Sequence, residues 1–561
     1  MKLFKEVIRN NLKLMIIYVI LGIAFTFLGL YATSYFQVII DSFGSNEVTL
    51  GMIIFYGVIL LITAIIGYID NYPDRKLFNK LYLEFKKQSI KKLKTIDYQE
   101  YQKIGTGRLS QQVEEGATAA RDTLYYFWLK LLRELLPGAL ISLIFIGKIE
   151  LKVLFTVLIG YVFVIILTNI VLKILYSLKE KIIINQELLN KHLIRGFMEL
   201  VVFRTNKKYD VELSKIDEEI TDITKGRTKI KLVHEIFFTA FEILVTIIKI
   251  VMLIYAVVSK NLTIGEITVL ITLLGKAYEP IAIFNVEYID YKLNKVSLKR
   301  YLEYLDLPDV KNMYEGKNIK HLTGNVTLKD ISFAYKEKQV LTGINLEIKE
   351  KSKVAFVGET GSGKSTIIKL IAGLISPQTG TILIDGKDLN KIKLDSYYEH
   401  ISYLSQDSPI FDGTLKENIV FDKDVSDEKI IEVLRLVELE KFYSKLKNGL
   451  QTELGERGIL ISGGERQRIA LARLFFDDSK IIILDEATSA MDNITEEKVM
   501  NALTKYLQNK TFIIIAHRLN TIRNVDKIFV LRNGEITESG TYKSLQKNSE
   551  YFKELSLKKV N

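Results

Sequence analysis

The sequence contains no cysteine, only six prolines and only five histidines among its 561 residues. The absence of cysteine excludes disulfide bonds, thiolate zinc sites, iron–sulfur clusters and a cysteine nucleophile. The scarcity of proline excludes collagen-like and proline-rich disordered chains. The histidines are few and scattered, which argues against a histidine metal cluster. The chemistry of this protein must therefore rest on residues other than cysteine.

The first half of the chain holds long apolar runs, although 25% of all residues are charged. A helix needs about 20 mostly apolar residues to cross a bilayer, and buried helices of soluble proteins seldom run this long without a polar stripe. We therefore predict an all-α transmembrane domain over residues 1–305 that embeds in the lipid bilayer. Its six predicted spans are 14–40, 50–69, 125–146, 151–174, 236–258 and 262–284.

The placement of charge predicts the orientation of these spans. The long connections 70–124 and 175–235 are rich in Lys and Arg, whereas the connection between the first two spans contains Asp41 and Glu47 and no basic residue. By the positive-inside rule, the N-terminus and both long connections are cytoplasmic. Much of the net charge of +11 is then a topology signal, so no nucleic-acid partner is expected. Because no organelle presequence precedes the first span, we expect the plasma membrane of a bacterium.

Two smaller patterns in this half suggest local roles. Apolar residues at positions 3, 4, 7 and 8, with Lys5 and Arg9 opposite, predict a short amphipathic helix in the membrane interface. Glu242 and Lys249 share one face of the fifth span with two threonines. Ionisable residues in a span usually face a bundle interior or cavity, so this stripe is a candidate pathway lining. A structural Glu–Lys pair with another helix is the alternative.

After a predicted linker at 306–323, short β-like and helix-like runs alternate, which predicts an α/β domain over 324–561. A strand-like run over 353–357 leads into a glycine-rich turn of the pattern G-x-x-x-x-G-K-[ST] and then into a helix. Such a turn directs backbone N–H groups at phosphate oxygens, with the lysine on the β- and γ-phosphates and the serine on Mg²⁺. The predicted nucleotide-binding residues here are Gly358, Glu359, Thr360, Gly361, Ser362, Gly363, Lys364, Ser365 and Thr366.

An apolar run at 481–484 ends in two carboxylates, Asp485 and Glu486. Asp485 is placed to hold Mg²⁺, and Glu486 is placed to orient and deprotonate an attacking water. A strand followed by an acidic helix cap is the simpler alternative. The glycine-rich turn about 120 residues earlier favours the catalytic interpretation.

Between these motifs, Ser462, Gly463 and Gly464 precede a helix-like run and form a second candidate anion site. This stretch resembles the signature motif of ATP-binding cassette (ABC) proteins. With six spans in front of it, the chain resembles a half-transporter of the ABC exporter family. Ile461 and Glu465 depart from the commonest pattern, which has Leu and Gln there, but the serine and the glycines are retained.

The resemblance implies roles for four further residues. Tyr335 matches the aromatic residue that stacks on adenine, and Gln406 matches a glutamine that touches Mg²⁺ and takes part in catalysis. His517 matches the histidine that contacts the γ-phosphate, and Asp492 belongs to the matching D-loop. The implied ligands are ATP and Mg²⁺.

The resemblance also implies that two cassettes sandwich ATP head to tail, so the chain would act as a pair. Because Glu486, His517 and the signature are intact, a homodimer is favoured over a heterodimer with a related half-transporter. Coupling helices are expected near 95–104 and 200–206. The implied function is ATP-driven export of a small molecule, lipid or peptide. The alternative is a membrane ATPase that acts as a regulator, sensor or channel.

Overall fold

The computed structural model describes residues 2–198, 200–407, 409–421, 423–455, 461–515 and 522–558. The chain divides into two compact units. The first unit comprises Met1–Lys94 and Ile104–Leu307, and the second comprises Thr95–Lys103 and Pro308–Asn561. The boundary at Leu307 falls within the predicted linker. The short segment Thr95–Lys103 belongs to the second unit, although it lies in the first half of the sequence.

The first half of the chain is built from helices, and two π-helical segments, Thr123–Leu129 and Leu131–Leu135, connect the fourth to the fifth. The helices are α1 Lys2–Gly44, α2 Leu50–Leu93, α3 Tyr98–Ile104, α4 Thr106–Asp122, α5 Leu136–Ile149, α6 Leu151–Met198, α7 Leu200–Thr205, α8 Tyr209–Ser259 and α9 Ile264–Leu305.

Among the described residues, five helices are long and apolar enough to cross a membrane, namely α1, α2, α6, α8 and α9. The predicted third span, 125–146, covers most of the two π-helical segments and of α5, which is not one of these five helices. The count of six spans therefore stays a prediction. Helix α8 is 51 residues long, more than twice the ~20 residues that a bilayer requires. Short helices α3 and α7 lie at the two positions where coupling helices are expected.

The predicted interfacial helix at the N-terminus is wrong, because α1 runs without a break from Lys2. Phe4 stacks on Phe85 of α2 with 5.1 Å between ring centroids, and Val7 is fully buried. The Asn11 side chain donates a hydrogen bond of 2.8 Å to Glu84. The apolar face of this segment therefore packs against protein rather than against lipid.

The described residues of the second unit form two β-sheets with helices around them. A four-stranded antiparallel sheet has the order β2-β1-β4-β5, and a six-stranded sheet has the order β10-β9-β3-β8-β7-β6. The strands are β1 Val326–Tyr335, β2 Lys338–Ile348, β3 Lys353–Gly358, β4 Thr379–Ile384, β5 Lys387–Asp388, β6 Ile401–Leu404, β7 Ile481–Asp485, β8 Thr511–Ile515, β9 Lys527–Arg532 and β10 Glu535–Gly540. The helices are α10 Lys364–Ile371, α11 Leu394–Tyr398, α12 Leu415–Val420, α13 Asp427–Leu436, α14 Glu440–Tyr443, α15 Gly463–Ala472, α16 Asn493–Tyr506, α17 Tyr542–Asn548 and α18 Glu550–Lys558.

The centre of the larger sheet is parallel, because β8 pairs in parallel with both β3 and β7. Strands β7 and β8 are buried along their whole length, which explains their continuous apolar sequence. In such a sheet the carboxyl ends of the strands meet at one edge, where ligands bind. The order β3-β8-β7 therefore brings the glycine-rich turn after β3 and the carboxylates after β7 to the same edge.

Candidate functional site

The glycine-rich turn connects β3 to α10 and requires its glycines. Gly361 and Gly363 have φ values of 85° and 103°, a region that strains other residues. A Cβ atom on Gly363 would also lie 2.5 Å from Leu341 Cδ2. The Ser362 hydroxyl is buried and has no hydrogen-bond partner among the described residues. A phosphate oxygen would satisfy this hydroxyl, so the turn fits the predicted nucleotide.

Lys364 begins α10 and turns its side chain back into the loop. Its Nζ donates hydrogen bonds to the carbonyl oxygens of Gly358, at 3.1 Å, and Glu359, at 2.8 Å. Burial lowers the pKa of Lys364, and the nearby carboxylates Glu486 and Asp485 oppose that shift. The ammonium group is thus held over the loop, where a phosphate would meet it.

Ser365 and Asp485, the two predicted metal ligands after β3 and β7, contact each other. Ser365 Oγ donates a hydrogen bond of 3.3 Å to Asp485 Oδ1. Ser365 follows β3 and Asp485 ends β7, and β8 lies between these two strands in the sheet. Burial raises the pKa of Asp485, and hydrogen bonds from Tyr403 and Ser365 work against that rise. Two oxygen ligands at this edge suit Mg²⁺, which prefers oxygen and takes its remaining ligands from water and phosphate.

One cleft of about 720 Å³ is lined by nine of the predicted site residues. Tyr335, Lys364, Gln406 and Glu486 all line it, although they come from four separate stretches of sequence. Glu486 has a φ of 52°, a strained conformation for a residue with a side chain. Such strain persists where the surrounding structure enforces it, often at functional sites. The backbone after β7 therefore directs this carboxylate into the cleft.

The predicted signature forms the N-terminus of α15, and it is not among the described residues that line the cleft. Ser462 and Glu465 form a capping box. The Glu465 carboxylate accepts hydrogen bonds from the Ser462 backbone N–H and hydroxyl, at 2.8 and 2.7 Å. The Glu465 side chain thus has a structural role, because it closes the cap.

The D-loop is tied to the signature helix by Gln467. Gln467 Nε2 donates to Ser489 Oγ at 3.1 Å, and the Ala490 N–H donates to Gln467 Oε1 at 2.8 Å. Asp492 caps α16 by accepting from the Thr495 N–H at 2.9 Å. A shift of α15, the helix that carries the signature, would therefore also move the D-loop. His517 lies outside the described residues.

Tyr403 is a residue of the site that sequence reasoning missed. It lies on β6, next to β7, and its hydroxyl donates a hydrogen bond of 3.1 Å to Asp485 Oδ2. Burial raises the pKa of Tyr403, so its hydroxyl stays protonated and can donate at any physiological pH. Only the order of strands in the sheet reveals this contact. Tyr403 and Ser365 together hold the two oxygens of Asp485.

Replacing Tyr403 with Phe should weaken the use of Mg²⁺. Loss of one hydrogen bond, worth about 0.5–1.5 kcal/mol, should raise the Mg²⁺ concentration for half-maximal ATPase rate roughly two- to ten-fold. The acid limb of the pH–rate profile should also move to higher pH, because Asp485 loses a donor that lowers its pKa. The control is Tyr398→Phe, which removes a hydroxyl bonded to the Gly373 carbonyl. Equal Mg²⁺ dependence in the two variants would contradict a positioning role for Tyr403.

Tyr98 of α3 is a second residue that sequence reasoning missed. It packs against the apolar core around the sheets, and Lys369 Nζ lies 5.9 Å from the centre of its ring. Burial raises the pKa of Tyr98, and Tyr335 and Asp485 are close enough to add to that rise. The segment expected to be the first coupling helix thus contributes an aromatic side chain close to the candidate site.

Comparisons with known proteins agree with this geometry. Residues 341–489 match the family described as ABC transporter. The chain is 41% identical to the ATP-dependent lipid A-core flippase of Francisella tularensis subsp. tularensis over 243 residues. This aligned region covers 43% of this chain and 40% of that protein. The chain is 36% identical to the leukotoxin translocation ATP-binding protein LktB of Mannheimia glucosida, over 53% of this chain and 42% of that protein. The matched region therefore spans less than half the length of these two curated relatives.

A solved structure extends the likeness to the whole fold. The structure of a bacterial Atm1-family ABC exporter with ATP bound has a TM-score of 0.82 to this chain. The alignment covers 99% of both chains at 22% sequence identity. At that identity the likeness concerns the fold alone.

Proposed function

We propose that this chain, which carries an ABC transporter ATP-binding domain and has the overall fold of an ABC exporter, is one half of an ATP-driven exporter. The observation that carries the proposal is the cleft that Lys364, Gln406 and Glu486 line, in a chain whose described residues also form five long apolar helices. In this proposal the chain lies in the plasma membrane, with its cassette and N-terminus in the cytoplasm. The cargo is a small molecule, lipid or peptide.

Each residue of the cleft has a proposed task. The loop amides and Lys364 bind the ATP phosphates, and Tyr335 stacks on the base. Ser365, Asp485 and Gln406 would hold Mg²⁺, which neutralises charge on the phosphates when it is bound. Glu486 accepts the proton of the attacking water. His517 is proposed to contact the γ-phosphate.

A second copy of the chain is proposed to complete the site. The cleft carries the phosphate loop but none of the described signature residues, and the N-terminus of α15 is a ready anion site. In a head-to-tail pair, Ser462 and Gly464 of one copy would meet ATP held by the other. A homodimer needs only this chain, whereas a heterodimer would need a related half-transporter.

Glu465→Gln should strengthen the apparent binding of ATP in such a pair. Glutamine can keep the capping box, and the substitution removes a negative charge that would face the phosphates. A charge near a helix N-terminus is worth about 0.3–1 kcal/mol, so the KM for ATP should fall roughly two- to five-fold. Glu497→Gln, an exposed carboxylate on α16, serves as the matched control. An unchanged or higher KM in a stably folded variant would argue against the head-to-tail arrangement.

The proposed function is tested by ATPase and transport assays on this chain alone in lipid nanodiscs and sealed vesicles. Lipids, hydrophobic drugs and small peptides are offered in turn. We expect basal ATP hydrolysis, stimulation by one class of compound, and ATP-dependent movement of that class across the vesicle membrane. Hydrolysis without movement of any compound would favour a regulator, sensor or channel. Folded, ATP-binding protein without hydrolysis would refute the self-sufficient homodimer.

A further inference from the structure

Residues of helices α6 and α9 line an open cavity of about 920 Å³ within the first unit, here called the lysine cavity. On α6, Lys173 and Tyr176 point into it. On α9, Tyr288, Lys292, Lys295 and Lys299 do so, at the spacing of one helical face. Leucine, isoleucine and valine side chains fill the positions between them. The lining therefore combines four positive charges with an apolar wall.

The positive charge of the lysine cavity is not neutralised by its own walls. Among the described residues, its lining contains no carboxylate. The neighbouring acidic residues of α9 are already paired, Glu287 with Lys130 and Asp290 with Lys179. Lys299 has one acidic neighbour, Glu303 at 3.9 Å. The cavity thus presents an excess of ammonium groups to whatever occupies it.

The depth of the lysine cavity can be estimated from helix length. At 1.5 Å per residue, Lys173 lies about 33 Å from the first residue of α6, and Lys292 about 42 Å from the first residue of α9. The hydrocarbon core of a bilayer is about 30 Å thick. In the proposed topology both helices begin at the outer side, so the lysines lie at and below the level of the inner leaflet's head groups. An amphiphile in that leaflet would have its charged head at that level.

We propose that the lysine cavity binds the head group of an exported amphiphile that carries two or more negative charges, such as phosphates. This inference rests on the proposed function and narrows its cargo to one chemical class. Ammonium groups and tyrosine hydroxyls are both donors to phosphate oxygens. A neutral cargo would make no use of these four positive charges, and a cationic cargo would be repelled by them.

The test uses the full chain in phosphatidylcholine nanodiscs, without ATP, so that binding is measured apart from transport. The probes are dodecyl diphosphate, its neutral counterpart dodecanol, and inorganic pyrophosphate. We expect dodecyl diphosphate to bind at least ten-fold more tightly than pyrophosphate. The triple variant Lys173→Gln, Lys292→Gln and Lys295→Gln should weaken dodecyl diphosphate binding at least ten-fold and leave dodecanol partitioning unchanged.

A matched control separates this site from general membrane charge. Lys215, Lys225 and Lys229 are exposed on α8, and their triple change to Gln removes the same charge elsewhere in the unit. Its affinity for dodecyl diphosphate should stay within two-fold of the parent. As a second variant, Lys292→Glu with Lys295→Glu should lose dodecyl diphosphate and gain affinity for dodecyltrimethylammonium.

The outcomes distinguish this inference from the proposed function. The lysine cavity would be overturned as an amphiphile site by parent-like binding in the triple variant or by equal loss in the α8 control. It would also be overturned by pyrophosphate binding that is equally tight and that the triple variant weakens equally. Binding as expected, with no ATP-dependent movement of the amphiphile in vesicles, would support the site and count against export. Movement of other compounds without dodecyl diphosphate binding would support export and refute this cargo class.

Discussion

Replacing Glu486 with Gln should lower the turnover of ATP roughly 10²- to 10⁴-fold, the contribution typical of a general base. Glu486 lines the nucleotide cleft, and its left-handed backbone holds it at the end of β7. Glutamine has the same size and can keep this conformation, but it accepts no proton from water. ATP binding should therefore be retained, and the loss should appear in kcat rather than in KM.

The measurement compares steady-state ATPase rates with equilibrium binding of a fluorescent ATP analogue. Glu497→Gln removes an exposed carboxylate from the same unit and should keep the parent rate. A Glu486→Gln protein that retains more than a tenth of the parent turnover would exclude Glu486 as the base. A loss of nucleotide binding in the folded variant would instead point to a binding role.

Replacing Arg133 with Met should destabilise the membrane unit by about 3–5 kcal/mol, because Asp70 would be left as an unpaired buried charge. Arg133 and Asp70 are 7% and 8% exposed, and Arg133 reaches both carboxylate oxygens, with 2.9 Å between Nη1 and Oδ1. The guanidinium also lies over the Tyr18 ring, 4.0 Å from its centre. A Cβ atom on Gly22 would lie 2.0 Å from Arg133 Cγ, so this glycine leaves room for the arginine.

The double variant Asp70→Leu with Arg133→Met should recover much of this loss, because no buried charge remains. Arg300→Met is the control, since Arg300 pairs with Glu187 on the surface and should contribute about 1 kcal/mol or less. Thermal unfolding in detergent, followed by the fraction of protein that stays monodisperse, measures all three. Equal effects of Arg133→Met and Arg300→Met would contradict a buried role for the Asp70–Arg133 pair.

Much of the candidate site could be predicted from local sequence. The spacing of Gly358, Gly363 and Lys364 specifies a phosphate loop, because a tight turn before a helix needs glycines at fixed positions. The apolar run before Asp485 likewise specifies a buried strand with carboxylates at its end. The structure brings Gly363, Lys364 and Glu486 to one cleft, together with Gln406 and Tyr335. The tasks assigned to them stay proposals for the experiments above.

Contacts between distant segments could not be predicted in the same way. The N-terminal residues have the pattern of a helix that lies in lipid, yet Phe4 packs on Phe85. An apolar face on a helix predicts that the face is shielded from water. Its sequence pattern is the same whether protein or lipid shields it. Tyr98, Tyr403 and Gln467 were missed for a related reason, since each acts through a partner that is far away in sequence.

By itself, the sequence determined the long apolar helices of the first half, five of which the structure shows among its described residues, the α/β character of the second half, and the candidate residues of a nucleotide site. These follow from periodicity and spacing, which act over a few turns of chain. The tertiary structure alone decided that β6 lies beside β7, so that Tyr403 reaches Asp485, and that Lys173 faces Lys292 across a cavity. Strand order and helix packing depend on the path of the whole chain, and no local pattern encodes which neighbour a side chain will meet.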